Sequence, residues 1–283
     1  MIRPLRALVP AGAHALEAIF EAAANQTRRL RVAWVDDQTV EVGGTRFSVR
    51  YALEDLHSIP STPEQFLLAK SPSLISDLLD IAPRQVRHIV DLGIFKGGSA
   101  AFYALVFRPT RLVAIDITED PVPALKHFIA TNEHGHRIRP YYGIDQADHE
   151  ALTSILRTNF PDRSLDLVVD DCSHRYASTK ASFNCLFGWL RPGGVYIIED
   201  WGWAHWSGET WQGPDGPFSP DEPALSNLVF EISMLSASRP DLLAEVRVTS
   251  GALALRRGYG EIDDDFDISS AYLTRGRGFE PVV

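Results

Sequence analysis

Two short stretches bring carboxylates close to a histidine: Asp170-Asp171-Cys172-Ser173-His174, and, further along, Glu199-Asp200. Each follows an apolar run, Leu165-Asp166-Leu167-Val168-Val169 before the first and Val195-Tyr196-Ile197-Ile198 before the second, and both runs read as buried strands. In an open parallel sheet the carboxyl ends of neighbouring strands face one crevice, so Asp171, Glu199 and Asp200 are expected to converge there. Three carboxylates in one place repel each other unless a cation neutralises them. An all-oxygen set is hard. It suits magnesium, with manganese or calcium as weaker choices, and it disfavours zinc, which prefers Cys or His ligands. His174 falls in the turn beside this centre and is the candidate general base, because histidine exchanges its proton near neutral pH. The other histidines, His205 included, read as structural.

A second chemical signal is Asp91-Leu92-Gly93-Ile94-Phe95-Lys96-Gly97-Gly98-Ser99, which follows an apolar run and opens a helical stretch. Glycines there let the backbone turn sharply and approach a ligand that side chains would hold off. The spacing Gly-x-x-x-Gly-Gly is not the Gly-x-Gly-x-x-Gly that seats a pyrophosphate. A phosphate-free nucleoside such as S-adenosylmethionine fits better, with its amino-acid end met by an acidic partner. Asp91, Gly93, Gly97, Gly98 and Ser99 are therefore assigned to the cofactor. Asp116 ends the next strand, where a carboxylate meets a ribose diol in doubly wound folds. Asp145 and Gln146 are placed beside the adenine, although Asp145 would equally serve as a helix cap. Asp170 completes the cofactor set.

These residues need a scaffold, and the patterning supplies an α/β one. Strands are expected at His88–Leu92, Leu112–Ile117, Ile138–Tyr142, Leu165–Asp171 and Val195–Glu199. Helices fit between them at Ser99–Phe107, Val122–Asn132, Gln146–Thr158 and Ser178–Leu190. Two more strands, near Ala244–Val248 and Ala252–Leu255, would close the sheet as an antiparallel edge. The sum is a Rossmann-like, doubly wound, mostly parallel sheet of seven strands. Ahead of it, Thr39–Val42 and Arg46–Val49 flank Gly43-Gly44 as a β-hairpin. A Pro/Ser-rich passage around Ile59–Pro63 separates this from a helix near Ser73–Ile81. The expected organisation is an extension of helix plus hairpin over 1–63, a catalytic domain over 64–257 and a tail over 258–283.

Composition narrows the partners. The net charge of −10 lacks the basic surface that nucleic acids require, so the partner read here is a small-molecule or oligosaccharide acceptor. The apolar pieces of Met1–Phe20 are broken by Arg3, Arg6, Pro10, His14 and Glu17, unlike a signal peptide, and no long apolar run suggests a membrane span. Cys172 and Cys185 do not make a disulfide framework. A cytoplasmic setting is expected, and a homo-oligomer is compatible with it. Trp201, Trp203, Trp206 and Trp211 follow Glu199-Asp200 and can either stack on an acceptor ring or pack a lid. The Asp263-Asp264-Asp265 run with Asp267 reads as solvated surface.

The ordered combination of Asp91-Leu-Gly with Gly97-Gly98-Ser99, Asp170-Asp171-Cys172-Ser173-His174 and Ile198-Glu199-Asp200 resembles the metal-dependent sugar O-methyltransferases of macrolide biosynthesis, the macrocin and mycinamicin type, and the related cephalosporin hydroxylase group. The resemblance covers Leu68 to Arg256. It implies the class I methyltransferase fold, magnesium on Asp171, Glu199 and Asp200, and His174 as base. Cys172 stands where the family motif usually has glycine. A catechol-type acceptor is the main rival to a sugar. Tyr176 and Lys180 have the Tyr-x-x-x-Lys spacing of short-chain dehydrogenases, but they follow a strand too closely and accompany the wrong glycine loop for that chemistry.

Overall fold

The computed structural model describes residues 31–283 except 215, 219 and 220. Residues 1–30, on which part of the expected helix-plus-hairpin extension falls, lie outside this set. The hairpin forms as β2 (Thr39–Val42) and β3 (Thr45–Arg50). Gly43 and Gly44 carry φ of 57° and 81° between the strands, a turn that suits glycine. Two strands that were not anticipated complete this sheet: β1 (Ala33–Asp36) pairs antiparallel with β2, and β4 (Gln65–Ala69) pairs parallel with β3. The boundary expected after residue 63 therefore falls inside a single four-stranded sheet. The short helix α1 (Leu53–Ser58) lies in the connection from β3 to β4.

After α2 (Pro72–Ile81), strands and helices alternate. They are β5 (His88–Leu92), α3 (Gly98–Phe107), β6 (Arg111–Asp116), α4 (Pro123–Thr131), β7 (Ile138–Tyr142), α5 (His149–Asn159), β8 (Leu165–Asp170), α6 (Tyr176–Phe187) and β9 (Leu190–Glu199). Then come α7 (Ser226–Ser238), which the sequence reading did not anticipate, and the strands β10 (Leu243–Val248) and β11 (Ala252–Arg257). The sheet order is β10-β11-β9-β8-β5-β6-β7, with β5 to β9 parallel and β11 antiparallel to both neighbours. This is the expected doubly wound sheet of seven strands. Successive residues point to opposite faces. Ile89, Leu112 and Leu167 pack with α2, α3 and α4, while Val90, Val113 and Val168 pack with α5, α6 and α7.

The N-terminal sheet shares the first of these cores. Phe47 meets Phe102 of α3 edge-on, with centroids 5.4 Å apart. A Cβ on Gly98 would lie 1.8 Å from the Leu67 carbonyl oxygen, so only glycine lets α3 begin this close to β4. Two differences from expectation bear on function. Asp148, not Gln146, opens α5: its Oδ1 accepts the Ala151 amide at 3.0 Å, which leaves Asp145 and Gln146 in the loop. Strand β6 ends at Asp116 and leaves Ile117 exposed. No helix among the described residues is long and apolar enough to cross a membrane.

Candidate active site

Strand order reverses between β6 and β8 on either side of β5, and the loops after these strands line a cavity of about 630 Å³. The loop after β5 is shaped by Gly93, at φ 100°, where a Cβ would lie 2.1 Å from the Asp171 carbonyl oxygen. Asp116 organises the same loop: its Oδ2 accepts the amides of Ile94 and Phe95, both at 2.8 Å, and Oδ1 accepts that of Thr118 at 2.8 Å. A carboxylate has about four acceptor positions, so this one keeps capacity toward the cavity that it lines. Asp91 is fully buried under the loop. Its Oδ2 accepts from Ser99 Oγ at 2.8 Å, whereas Oδ1 is buried with no partner. Burial pushes its pKa up to about 7.

Gln146 links the loop after β7 to the end of β8 and the loop that follows it. Its Oε1 accepts the Ser173 amide at 2.9 Å, and its Nε2 donates to Asp170 Oδ1 and Ser182 Oγ, each at 3.3 Å. Asp170 also accepts from Ser182 Oγ at 2.6 Å and Tyr196 Oη at 3.0 Å. It is buried outside the cavity lining, and burial raises its pKa to about 6. Its contacts make it a support for Gln146. Asp145, Gly93, Gly98 and Ser99 line the cavity, and Asp91 lies buried behind this lining. Gly97 does not line it; its φ of 79° starts α3, and a Cβ there would meet Leu125 at 2.8 Å.

On the other side of the cavity, Asp171, His174 and Asp200 each offer a ligand atom within 4.8 Å of the others. His174 Nε2 stands 3.8 Å from Asp171 Oδ1. His174 (φ 55°) and Asp200 (φ 52°) are both in the left-handed region without being glycine, strain of about 1–3 kcal/mol each that tends to collect at functional sites. Glu199 is the third carboxylate expected at the metal. It is buried, and both its oxygens accept from Lys70 Nζ, at 2.7 and 2.6 Å; the same ammonium reaches Asp171 Oδ2 at 3.0 Å. Burial opposes the charge on Lys70, yet Asp171 and Glu199 hold its pKa above the ordinary lysine value. Asp171 is likewise drawn below the usual carboxylate range, against burial, by Lys70 and then His174.

Lys70 was not foreseen from the sequence, nor were Leu53, Leu56, His57 and Lys96, which also line the cavity. The Lys96 ammonium donates to the carbonyls of Leu56, His57 and Ile59 at 2.6, 3.3 and 2.7 Å and so ties the end of α1 to the glycine loop.

None of Trp201, Trp203 and Trp206 lines this cavity. The Trp201 indole donates to the Thr249 carbonyl at 2.9 Å, Trp203 stacks on Phe218 with centroids 3.8 Å apart, and Trp206 meets Trp211 edge-on. Those contacts are the packing alternative. Tyr176 and Lys180 both bond to buried Glu231, at 2.7 Å each, and Tyr272 joins them at 2.9 Å. The pair thus ties α6 to α7 and takes no part in the cavity.

Residues 90–201 match the family described as "Methyltransferase domain". Over 165 residues the chain is 33% identical to mycinamicin VI 2''-O-methyltransferase of Micromonospora griseorubida, covering 55% of this chain and 37% of that protein. It is 42% identical over 64 residues to demethylmacrocin O-methyltransferase of Streptomyces fradiae, covering 23% and 15%. L-olivosyl-oleandolide 3-O-methyltransferase of Streptomyces antibioticus matches at 33% over 98 residues, covering 34% and 24%. The matches span well under two thirds of the length of these relatives. A methyltransferase from the mycinamycin biosynthetic pathway, solved in complex with Mg and SAH, superimposes with a TM-score of 0.49 at 25% identity, over 73% of this chain and 52% of that one. The stretch from Val90 to Trp201, which carries Asp91, the glycine loop, Asp116, Asp171, His174, Glu199 and Asp200 on the class I sheet, is a methyltransferase domain, and the chain is a distant relative of the mycinamicin and macrocin sugar O-methyltransferases.

Proposed function

We propose that the chain is an S-adenosylmethionine-dependent O-methyltransferase that methylates a hydroxyl of a sugar-bearing small molecule with the help of a divalent metal ion, magnesium or manganese. The observation that carries this reading is a single cavity with the glycine loop and Asp116 at one side and Asp171, His174 and Asp200 at the other. The cofactor fits the residues present: the unpartnered buried Oδ1 of Asp91 calls for a cation, and the amino group of S-adenosylmethionine is one. Asp116 would accept from the ribose, and Asp145 and Gln146 would flank the base. The metal also fits, because Asp171 and Asp200 are hard oxygen ligands and a magnesium site commonly uses one or two carboxylates.

When bound, the cofactor supplies a methyl group already activated as a sulfonium, and the metal lowers the proton affinity of an acceptor hydroxyl. The chain's own part is to hold the acceptor oxygen in line and to take its proton at His174 Nε2. Asp171 Oδ1 faces that nitrogen and would stabilise the imidazolium that forms. Trp203 anchors the His174 turn from behind. A sugar acceptor is favoured over a catechol by the names of two relatives, which specify an L-olivosyl and an alpha-L-rhamnosyl acceptor. Calorimetry with S-adenosylhomocysteine, followed by methyl transfer to a panel of glycosides and catechols with and without magnesium, tests the proposal. Micromolar cofactor binding and metal-dependent methylation of a glycoside are expected. Cofactor binding with methylation of catechols alone would overturn the sugar, and no cofactor binding would overturn the whole reading.

A further inference from the structure

A second cavity, of about 280 Å³, is built by the segment between β9 and α7, with Trp203, Trp211, Gln212, Phe218 and Glu222 in its walls. Two contacts join it to the catalytic turn. The Trp203 indole donates to the His174 carbonyl at 2.8 Å, and Arg175, the next residue, pairs with Glu222. Asp200, which lines the first cavity, stands three positions before Trp203, so their Cα atoms are at most about 11 Å apart. Trp203 is buried, with Phe218 stacked on it at 3.8 Å between centroids. Trp211 and Phe218 are only partly buried and nearly parallel, at 23° with centroids 6.5 Å apart, and they leave apolar ring surface to the cavity. Polar groups frame these rings. Gln212 Nε2 donates to the carbonyls of Ala204 and Trp206 at 3.0 and 2.8 Å, which uses both its N–H bonds, fixes the amide and leaves Oε1 to accept. Glu222 is the only carboxylate of the lining among the described residues, and Arg175 neutralises it, so the cavity does not call for a cation.

We propose that this cavity is a second acceptor subsite, which takes a neutral pyranose ring of the acceptor other than the ring that is methylated. The inference rests on the sugar-bearing acceptor proposed above and adds a second ring to it. A pyranose turns a face of C–H bonds to an aromatic ring and its hydroxyls to the rim, which matches flat rings edged by a fixed amide and a paired carboxylate. Size sets the extent. Small-molecule sites begin at about 300 Å³, so this cavity has room for one ring and not for a whole glycoside. A ring held on the loop that also fixes the His174 turn lets binding energy from a remote part of the acceptor orient the reacting hydroxyl.

The test labels the full chain with ¹⁵N-tryptophan, saturates it with S-adenosylhomocysteine and titrates it with a panel of methyl hexosides and deoxyhexosides and the methyl glycosides of their disaccharides. The chain has six tryptophans, and Trp211→Leu identifies the Trp211 indole signal. That signal is expected to move saturably with at least one glycoside, with a Kd of about 1 mM, while those of Trp34 and Trp189 stay still. No movement of the Trp211 signal with any glycoside overturns the subsite and leaves the methyltransferase reading standing. Wild-type crystals soaked with the same glycosides need no variant to fold: a ring against Trp211 and Gln212 is expected, and a ring found only in the first cavity overturns the proposal. Turnover supplies the link to the acceptor. Disaccharide glycosides should be methylated with a kcat/KM at least about tenfold above that of their single-ring counterparts, and Trp211→Leu should lose that preference. Equal use of one-ring and two-ring acceptors by the wild type overturns the proposal. Methylation of no glycoside at all overturns the sugar reading, and this inference with it.

Discussion

The indole Nε1 of Trp203 donates a 2.8 Å hydrogen bond to the backbone carbonyl of His174, the residue held at a φ of 55° beside the carboxylates. The ring is clamped in turn against Phe218. Trp203→Phe keeps an aromatic ring but loses the donor, and a hydrogen bond of this kind is worth about 0.5–1.5 kcal/mol. The expected result is a fall in kcat of about 3–10-fold, from a less well-placed His174, with little change in S-adenosylhomocysteine affinity. Steady-state kinetics and calorimetry check it. A raised acceptor KM at constant kcat would mean instead that the ring touches the acceptor.

Cofactor binding is expected to depend on pH through Asp91. Burial raises its pKa to about 7, well above the ordinary carboxylate value, so the folded apo protein takes up a proton between about pH 4 and 7 that the unfolded chain does not. The sign follows. Ionised Asp91 costs stability above about pH 7, and the apo protein loses this contribution to stability as pH rises from about 4 to 7. A cationic amino group on its free Oδ1 favours the ionised form, so S-adenosylhomocysteine affinity should weaken by up to about tenfold per pH unit below 7. Asp91→Asn should bind weakly at every pH and lose this slope. Calorimetry from pH 5 to 8 decides; an unchanged slope in the variant would place the titrating group elsewhere.

The central sheet and the loops after its strands were legible because a strand buried on both faces writes a dense apolar run, and parallel strands deliver their following loops to one crevice. That logic located Asp91, Asp116, Asp171, His174 and Asp200 together. It could not reveal Lys70. The short run Gln65–Ala69 sits behind a Pro/Ser-rich passage and is too brief to be told from a helical segment by periodicity. Nothing local to Lys70 reports that its ammonium meets Glu199 across the fold. Spacing put Glu199 at the crevice, but its pairing with Lys70 is a tertiary contact that spacing does not report. The same limit applies to the tryptophans, whose use as packing against Phe218, Thr249 and one another is decided by tertiary contacts. The helix Ser226–Ser238 buries residues on several faces, Asn227 and Glu231 among them, and so lacks the polar stripe that marks an amphipathic helix.

The end of α1 is tied down by Lys96. Its three bonds to the carbonyls of Leu56, His57 and Ile59 satisfy the end of α1, and Leu53, Leu56 and His57 wall the cavity. Lys96→Met keeps most of the stem and removes the donors. S-adenosylhomocysteine affinity should fall by about tenfold, in line with the loss of one or two charge-assisted hydrogen bonds, and amide exchange across residues 53–59 should quicken. Faster exchange without loss of affinity would show that α1 does not help to hold the cofactor.

The last prediction separates two uses of His174 that one lone pair cannot serve together. Nε2 lies 3.8 Å from Asp171 Oδ1, and a ring nitrogen of His174 lies within 4.8 Å of a carboxylate oxygen of Asp200, so the imidazole is near enough either to ligate a metal or to accept a proton beside it. A nitrogen committed to a metal has no lone pair left for the acceptor's proton. Asp171 and Asp200 already provide the hard oxygens that magnesium prefers, and imidazole adds little for that ion. His174→Ala is therefore expected to lose at least about 100-fold in kcat, within the range for a general base, while Mn²⁺ and S-adenosylhomocysteine affinities stay within about threefold of the wild type. EDTA should abolish turnover in the wild type, and magnesium should restore it. If His174→Ala instead weakens Mn²⁺ binding by about tenfold or more, the imidazole is a ligand and the proton leaves by another group or by solvent. Full turnover in EDTA would remove the metal from the mechanism and leave Asp171 to orient His174 alone.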